Sequence, residues 1–195
     1  MNELSERQLE IVRATIFLIA EQGVQNFSIR KLAKRVGVTE PAIYRHFESK
    51  DDLMIKLASH IVHNWREMLA ELPLPKIPVI EQIRIILGEV MSYFDENQAF
   101  TKTLFSADLF ATESGMTAIL LELKNEGLAR FAELIANGQA AGEIRLGLDP
   151  LATAKVVFGS IWWAVTDWLS RQCETDLFAE WSATWKCLMV LLSDA

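Results

Sequence analysis

Six basic side chains lie in one short stretch near the amino terminus. Between Asn26 and Lys50 there are six lysines and arginines and two acids, a local net charge of +4. Between Ile61 and Ala195 there are ten basic and eighteen acidic residues, a net charge of −8. A chain with an overall charge of −7 would not be expected to bind nucleic acid, but this uneven distribution changes that expectation. A basic segment on an acidic chain is typical of a protein that binds DNA at one end only.

The basic stretch coincides with a pattern for two short helices joined by a tight turn. The apolar residues of the first helix recur at helical spacing, and they are Ile29, Leu32, Ala33 and Val36. Gly37 follows as a residue that readily adopts positive φ, and Thr39 is a suitable N-cap for the next helix. This is the sequence form of a helix-turn-helix. We also expect Ala33 and Gly37 to be small because the two helices cross closely there.

The segment TEPAIYRHFESKDDL, from Thr39 to Leu53, resembles the DNA-binding domain of the tetracycline-repressor (TetR) family of bacterial regulators. The shared features are a small polar residue, a short helix ending in Tyr-x-His-Phe, and a helix start of the form Ser-Lys-acid-acid-Leu. The resemblance covers roughly Glu6 to Leu57. Beyond it, the length and the all-helical character agree with the family.

The resemblance implies two sets of DNA contacts. The positions that resemble base-facing ones are Arg30, Glu40, Pro41, Ala42 and Arg45. The positions that resemble phosphate-contacting ones are Ser28, Thr39, Tyr44, His46 and Lys50. Arginine can pair bidentately with guanine, and hydroxyl and imidazole groups can donate to phosphate oxygens. A phosphate contact for Arg45 and a half-buried core role for Tyr44 remain alternatives.

The outward charges of the first short helix form a separate group. Lys31, Lys34 and Arg35 are expected to be solvated and to contribute long-range attraction more than direct contacts.

The whole chain is predicted to be all-α, with about nine helices. Ser5 and Gln8 form a capping box for a first helix that ends before Gly23, with its inner face predicted at Leu9, Val12, Ile16, Ile19 and Ala20. Residues 1–48 are predicted to form a three-helix DNA-binding domain. Ser49 and Asp52 cap a long helix that joins this domain to a helical bundle, and residues 49–195 are predicted to bind ligand and to dimerise. The prolines of PLPKIP, residues 73–78, end the long helix.

The last two predicted helices are apolar on nearly every side and contain five of the six tryptophans. One chain of this size can hardly cover such helices, so a homodimer is expected, as the resemblance also implies. The predicted interface residues are Val156, Gly159, Ser160, Trp163, Trp181, Trp185 and Leu188. The alternative is that these aromatic residues form an intrachain core.

A pocket for a small hydrophobic effector is expected in the same bundle, because TetR-family members receive inducing ligands there. Candidate lining residues are Trp65, Tyr93, Phe94, Phe100, Leu104, Phe105, Asp108, Leu109, Phe131, Trp162 and Asp167. Taken singly, each aromatic residue is as consistent with packing as with ligand contact, and Asp167 has an alternative role as a cap or ion-pair partner.

Several classes of protein are disfavoured by the sequence. The apolar runs are too short to span a bilayer, and the amino terminus lacks the features of a signal peptide, so a cytoplasmic protein without membrane contact is expected. Cys173 and Cys187 fit ordinary buried thiols in a reducing compartment. The sequence contains no recognisable catalytic constellation or cofactor motif. His60 and His63 have the spacing to share a metal ion, but no third ligand is evident, so no metal site is predicted.

Two functions remain from these observations. The first is a repressor that binds a palindromic operator as a homodimer and is released by a small hydrophobic ligand. The second is a TetR-like DNA-binding protein without such an inducer, acting in nucleoid occlusion or on the chromosome.

Overall fold

The computed structural model describes residues 4–70, 77–105 and 115–193, and within these ranges it contains helices and no strand. The α-helices are α1 (Glu6–Gln22), α2 (Ile29–Val36), α3 (Glu40–Tyr44), α4 (Lys50–Ala70), α5 (Val79–Glu96), α6 (Gln98–Leu104), α7 (Gly115–Ala140), α8 (Pro150–Ser170) and α9 (Leu177–Leu192). A single 3-10 turn, Val24–Asn26, precedes α2. The all-α prediction is confirmed. Most of the predicted PLPKIP linker lies outside the described residues.

The chain folds into two compact units. The first unit comprises Met1–Glu67 and Ala99–Glu122, and the second comprises Met68–Gln98 and Leu123–Ala195. The first unit therefore joins the amino-terminal helices to α6 and to the start of α7. Whether residues 1–48 act as a separate DNA-binding domain is a functional question that this division does not test, so that boundary stays a prediction.

Local capping sets the helix ends of the first unit. The Ser5 hydroxyl accepts from Gln8 N and the Gln8 side chain accepts from Ser5 N, which completes the predicted capping box. At the start of α4, the Ser49 hydroxyl accepts from Asp52 N at 3.0 Å, and the Asp52 carboxylate accepts from Glu48 N at 2.9 Å. Helices α1 and α4 therefore begin where the sequence places them.

Gly37 ends α2 for a conformational reason rather than a packing reason. Its φ is +73°, in the left-handed region that favours glycine, and Val38 N donates to Ala33 O at 2.9 Å. A Cβ at Gly37 would meet no atom within 4 Å. The expectation that Gly37 is small because two helices cross closely there is wrong, whereas Ala33 is buried.

Helix α1 is buried on a wider face than the sequence suggests. Its buried residues are Ile11, Val12, Thr15, Leu18 and Ile19, whereas the predicted inner residues Leu9, Ile16 and Ala20 are half-buried. Helix α6 packs on α1 within the same unit, since the buried Thr103 hydroxyl lies 3.2 Å from Ile16 O and 2.9 Å from Ala99 O. An inner face predicted from packing on α2 and α3 alone therefore leaves out the contact of α1 with α6.

The second unit packs α5 and α8 against α9 around large side chains. Its buried residues include Ile83, Leu87, Met91, Val157, Trp168, Trp181 and Trp185. Gly138 of α7 makes room for the loop that follows, because a Cβ there would lie 2.6 Å from Cδ1 of Ile144. Arg145 N, beyond that loop, donates to Leu192 O at 2.8 Å and fixes the end of α9.

The turn between α8 and α9 has an unusual backbone. Gln172 and Cys173 have φ of +59° and +63°, which side-chain-bearing residues rarely adopt. The turn is fixed by the buried Trp168, whose carbonyl accepts from Cys173 N at 3.1 Å and whose indole N–H donates to Thr175 O at 2.9 Å. The packing of Trp168 thus holds a strained turn in place.

Candidate nucleic-acid interface

The short helix α3 is largely exposed. Among its five described residues Ile43 is the buried one, at 0% exposure, while Glu40, Pro41 and Tyr44 are exposed and Ala42 is half-buried. Arg45, immediately after the helix, is also exposed. The predicted base-facing residues of this helix therefore have surface available for a ligand.

Thr39 occupies the N-cap of α3 but makes no side-chain capping hydrogen bond. Its exposed hydroxyl therefore remains available to a phosphate. Ser28, the N-cap of α2, accepts from Lys31 N at 3.3 Å and keeps its own hydroxyl proton as a donor. Arg30 lies exposed in the first turn of α2. These polar groups lie at the amino-terminal ends of two helices, where the helix dipole favours an anion.

Tyr44 is 47% exposed, which leaves its phenol accessible from solvent. The side chain of His46 is half-buried, and its backbone carbonyl accepts from the Gln8 amide at 2.9 Å. Sequence reasoning assigned Gln8 to the capping box alone. Its second hydrogen bond joins residues 38 positions apart, a separation at which no local pattern gives a signal.

Lys50 has a structural partner that sequence reasoning missed. Its ammonium donates to Phe27 O at 3.2 Å and lies 5.4 Å from the centre of the Phe27 ring. Lys50 therefore ties the start of α4 to the residue before the α2 cap. Its exposed side chain retains further donors for a phosphate.

Arg35 and Lys31 are not merely solvated charges. Arg35 pairs bidentately with Glu21 at 2.5 and 2.8 Å, and these hydrogen bonds lower the pKa of the Glu21 carboxyl. Lys31 donates to Gln22 Oε1 and to Asn26 O, each at 2.7 Å. Both cations brace α2 against the end of α1. By contrast, Lys34 is exposed and has no carboxylate of the described residues within ion-pair distance.

The predicted dimer residues separate into two groups. Trp181, Trp185 and Leu188 are buried within the chain itself, which agrees with the alternative of an intrachain core for these three. Val156, Gly159 and Trp163 are exposed along one stripe of α8, and Ser160 is half-buried beside them. On α9 the exposed residues Ala183, Cys187 and Val190 follow the same helical spacing. We call these two rows the α8 stripe and the α9 stripe.

The predicted effector-pocket residues are distributed over both units. In the first unit, Phe100 is buried, and Trp65, Leu104 and Phe105 are half-buried. In the second unit, Phe94 and Phe131 are buried, Phe131 meets Phe158 edge to face at 5.7 Å, and Trp162 is exposed. Burial raises the pKa of the Tyr93 phenol. Asp167 pairs with Arg171 at 2.7 Å, as in its alternative role, and Asp108 and Leu109 lie outside the described residues.

The potential metal-ligating and nucleophilic side chains of the described residues do not cluster into a site. Among residues 4–70, 77–105 and 115–193, no three His, Cys, Asp or Glu side chains are grouped so as to hold a metal ion. His60 Nε2 lies 3.3 Å from the Asn64 amide, so that the imidazole has a partner on its own helix. Cys187 is exposed and Cys173 is half-buried, so the expectation that both thiols are buried is wrong for Cys187. None of the described helices is both long enough and apolar enough to cross a membrane.

Two family profiles match the chain. The profile of bacterial regulatory proteins of the tetR family matches residues 11–57, and that of the carboxy-terminal region of YsiA-like proteins matches residues 118–191. The chain belongs to the TetR family. It is therefore a DNA-binding transcriptional regulator of the TetR type, which confirms the resemblance found in TEPAIYRHFESKDDL.

Similarity to one TetR-family relative extends over nearly the whole chain. The fatty acid metabolism regulator protein of Bacillus subtilis (strain 168) is 26% identical over 181 residues, which are 92% of each chain. The nucleoid occlusion factor SlmA of Vibrio atlanticus is 30% identical over 101 residues, or 51% of this chain and 52% of that protein. These two relatives are a metabolic regulator and a nucleoid factor rather than enzymes.

Solved structures show the same TetR-family fold. The fatty acid degradation regulator FadR of Bacillus halodurans superposes with a TM-score of 0.83, at 21% identity, over 96% of this chain and 97% of that one. FadR of Bacillus subtilis in complex with stearoyl-CoA superposes with a TM-score of 0.77, at 23% identity, over 94% and 98%.

Proposed function

We propose that this TetR-family regulator is a repressor that binds a palindromic operator as a homodimer. The observation that carries the proposal is α3, which buries Ile43 and leaves Glu40, Pro41, Tyr44 and the following Arg45 exposed. A recognition helix in the major groove needs this arrangement, with one apolar anchor and outward polar side chains. The residues proposed to contact bases are Arg30, Glu40, Pro41, Ala42 and Arg45. The residues proposed to contact phosphates are Ser28, Thr39, Tyr44, His46 and Lys50.

One copy of the DNA-binding domain offers few base contacts. The proposal therefore includes a two-fold dimer, which presents two copies of the domain to the operator. The α8 stripe and the α9 stripe supply the interface in this proposal, because both expose apolar residues on helices whose opposite faces are buried. Trp163 is its central side chain, at 73% exposure. Small residues such as Gly159 and Ala183 permit close approach of the partner helices.

The effector in this proposal is a long-chain acyl group carried on coenzyme A. The relative that matches 92% of the chain is a fatty acid metabolism regulator, and a FadR structure of the same fold holds stearoyl-CoA. The predicted lining residues of the second unit include four aromatic side chains that suit an acyl chain, and they are Tyr93, Phe94, Phe131 and Trp162. A ligand that favours a state unable to bind the operator lowers DNA affinity, and DNA must lower ligand affinity by the same factor.

The test is selection of bound sequences from random DNA with the purified protein at two salt concentrations, followed by effector addition. We expect a palindrome, a steep salt dependence, and release of the selected DNA by stearoyl-CoA but not by coenzyme A alone. Recovery of sequences without two-fold symmetry refutes the operator proposal. Unchanged DNA binding with both compounds refutes the effector proposal. We further propose that the chain is not an enzyme, so stearoyl-CoA should remain intact after incubation.

A second candidate is a chromosome-associated factor without a small-molecule effector. It is favoured by the similarity to SlmA, although that similarity spans about half of the SlmA chain. The two candidates differ in one result. A selected palindrome that no acyl-CoA releases supports the second candidate, whereas release by stearoyl-CoA supports the first.

A further inference from the structure

The side chain of Gln8 joins the start of α1 to the turn that follows the proposed recognition helix. Its Oε1 accepts from Ser5 N at 3.0 Å, within the α1 cap. Its Nε2 donates to the carbonyl of His46 at 2.9 Å, in a part-buried position. A single amide thus makes a local contact through its oxygen and a long-range contact through its nitrogen.

The His46 carbonyl lies just beyond the end of α3, where no further turn of the helix supplies an N–H donor to it. Helix α3 has five residues, and both His46 N and Phe47 N converge on Ile43 O, at 2.9 and 3.1 Å. The carbonyls at a helix end need hydrogen-bond donors from outside the helix, and a part-buried carbonyl without a donor is costly. Gln8 supplies a donor from another helix, and so fixes the position of this turn relative to α1.

A five-residue helix has little stability of its own, so its direction depends on what holds its two ends. Ile43 anchors the helix to the core, and the Gln8 amide holds the turn after it. A small rotation about Ile43 would move Arg45 and Tyr44 relative to base edges and phosphates. Contacts with base edges need close geometry, whereas attraction to phosphates is tolerant of small shifts.

We propose that Gln8 is a positioning residue for DNA recognition, whose amide N–H sets the orientation of α3 without touching DNA. This inference rests on the proposed function, since it assumes that α3 reads the operator. It separates two roles of one side chain. The oxygen of Gln8 serves helix stability, and the nitrogen serves sequence discrimination.

Three variants distinguish these roles. Gln8→Met keeps the length of the side chain and loses both hydrogen bonds. Gln8→Glu keeps an acceptor for Ser5 N, so the capping box remains, but it loses the donor to the His46 carbonyl. Ser5→Ala is the matched control, because it weakens the α1 cap and leaves the Gln8 amide bonded to His46.

The measurement is the affinity of each full-length variant for the sequence selected by the wild-type protein and for unrelated DNA, together with the melting temperature. We expect Gln8→Met to lose about tenfold in affinity for the selected sequence while binding to unrelated DNA at the wild-type level, and Gln8→Glu to lose about tenfold in the ratio of specific to non-specific affinity. The loss in Gln8→Glu should persist at raised salt, where simple charge repulsion is screened. Ser5→Ala should melt earlier and keep the wild-type ratio of specific to non-specific affinity.

The outcomes separate this inference from the proposed function. Gln8 variants that keep the wild-type affinity ratio overturn the positioning role and leave the operator proposal intact. A parallel decline in all three variants, in proportion to their lost stability, also overturns it, because Gln8 would then be a structural residue only. If the wild-type protein selects no sequence, the operator proposal fails and this inference fails with it.

Discussion

Replacing Trp163 by alanine should weaken the proposed dimer without unfolding the chain. The side chain is 73% exposed on the α8 stripe. A tryptophan presents roughly 250 Å² of surface, so roughly 180 Å² of it faces water in the single chain. Burial at about 25 cal/mol per Å² gives an upper bound of about 4.5 kcal/mol for each copy. Even about 2 kcal/mol lost from a single copy would raise the dimer Kd roughly 30-fold.

The assay is sedimentation equilibrium or light scattering over a dilution series, with thermal unfolding measured in parallel. Phe17→Ala is the control, because Phe17 is an exposed aromatic residue of α1 that lies in the first unit and outside both stripes. We expect Trp163→Ala to shift the dimer Kd by at least tenfold and Phe17→Ala to leave it unchanged. A wild-type Kd in Trp163→Ala would mean that the α8 stripe is not the interface.

Three further predictions follow from the structure. Arg45→Ala should lower discrimination at one base position of the selected sequence, by about 1–3 kcal/mol, in a quantitative binding assay. An equal loss on all sequences would make Arg45 a phosphate contact. Cys173→Gly should raise the free energy of unfolding, measured in urea, by about 1 kcal/mol, because glycine adopts a φ of +63° without strain. An unchanged or lower value would show that the thiol contacts outweigh that strain. Burial lowers the pKa of His60 below its usual 6.5, and Arg13 and His63 lower it further. The unfolded chain therefore binds the proton more readily, so the free energy of unfolding should fall as the pH drops below about 6.5. His60→Gln should reduce that slope in urea unfolding between pH 5 and pH 7.5, and an identical slope in both proteins would contradict the assignment.

The ends of the helices could be predicted from the sequence because the interactions that set them are local. The Ser5 and Gln8 box, the positive φ of Gly37 and the Ser49 cap each involve residues within a few positions of one another. Asp149 followed by Pro150 likewise marks the start of α8, where the Asp149 carboxylate accepts from Ala152 N. The resemblance to the TetR DNA-binding domain could be recognised for the same reason, since its motif is a continuous run of residues from Thr39 to Leu53.

Only the tertiary structure decided which side chains make long-range contacts and which are buried. Arg35 and Glu21 are 14 residues apart, and Gln8 and His46 are 38 apart, so neither pair has a local signal. The tryptophans of α8 and α9 show the same limit. A helix that is apolar on nearly every side has no periodicity to distinguish Trp185, which is buried, from Trp163, which is exposed. Local hydrogen bonds depend on residues that are close in the sequence, so the sequence predicts them. Burial of a helix face depends on which distant helix covers it, and the tertiary packing determines that helix.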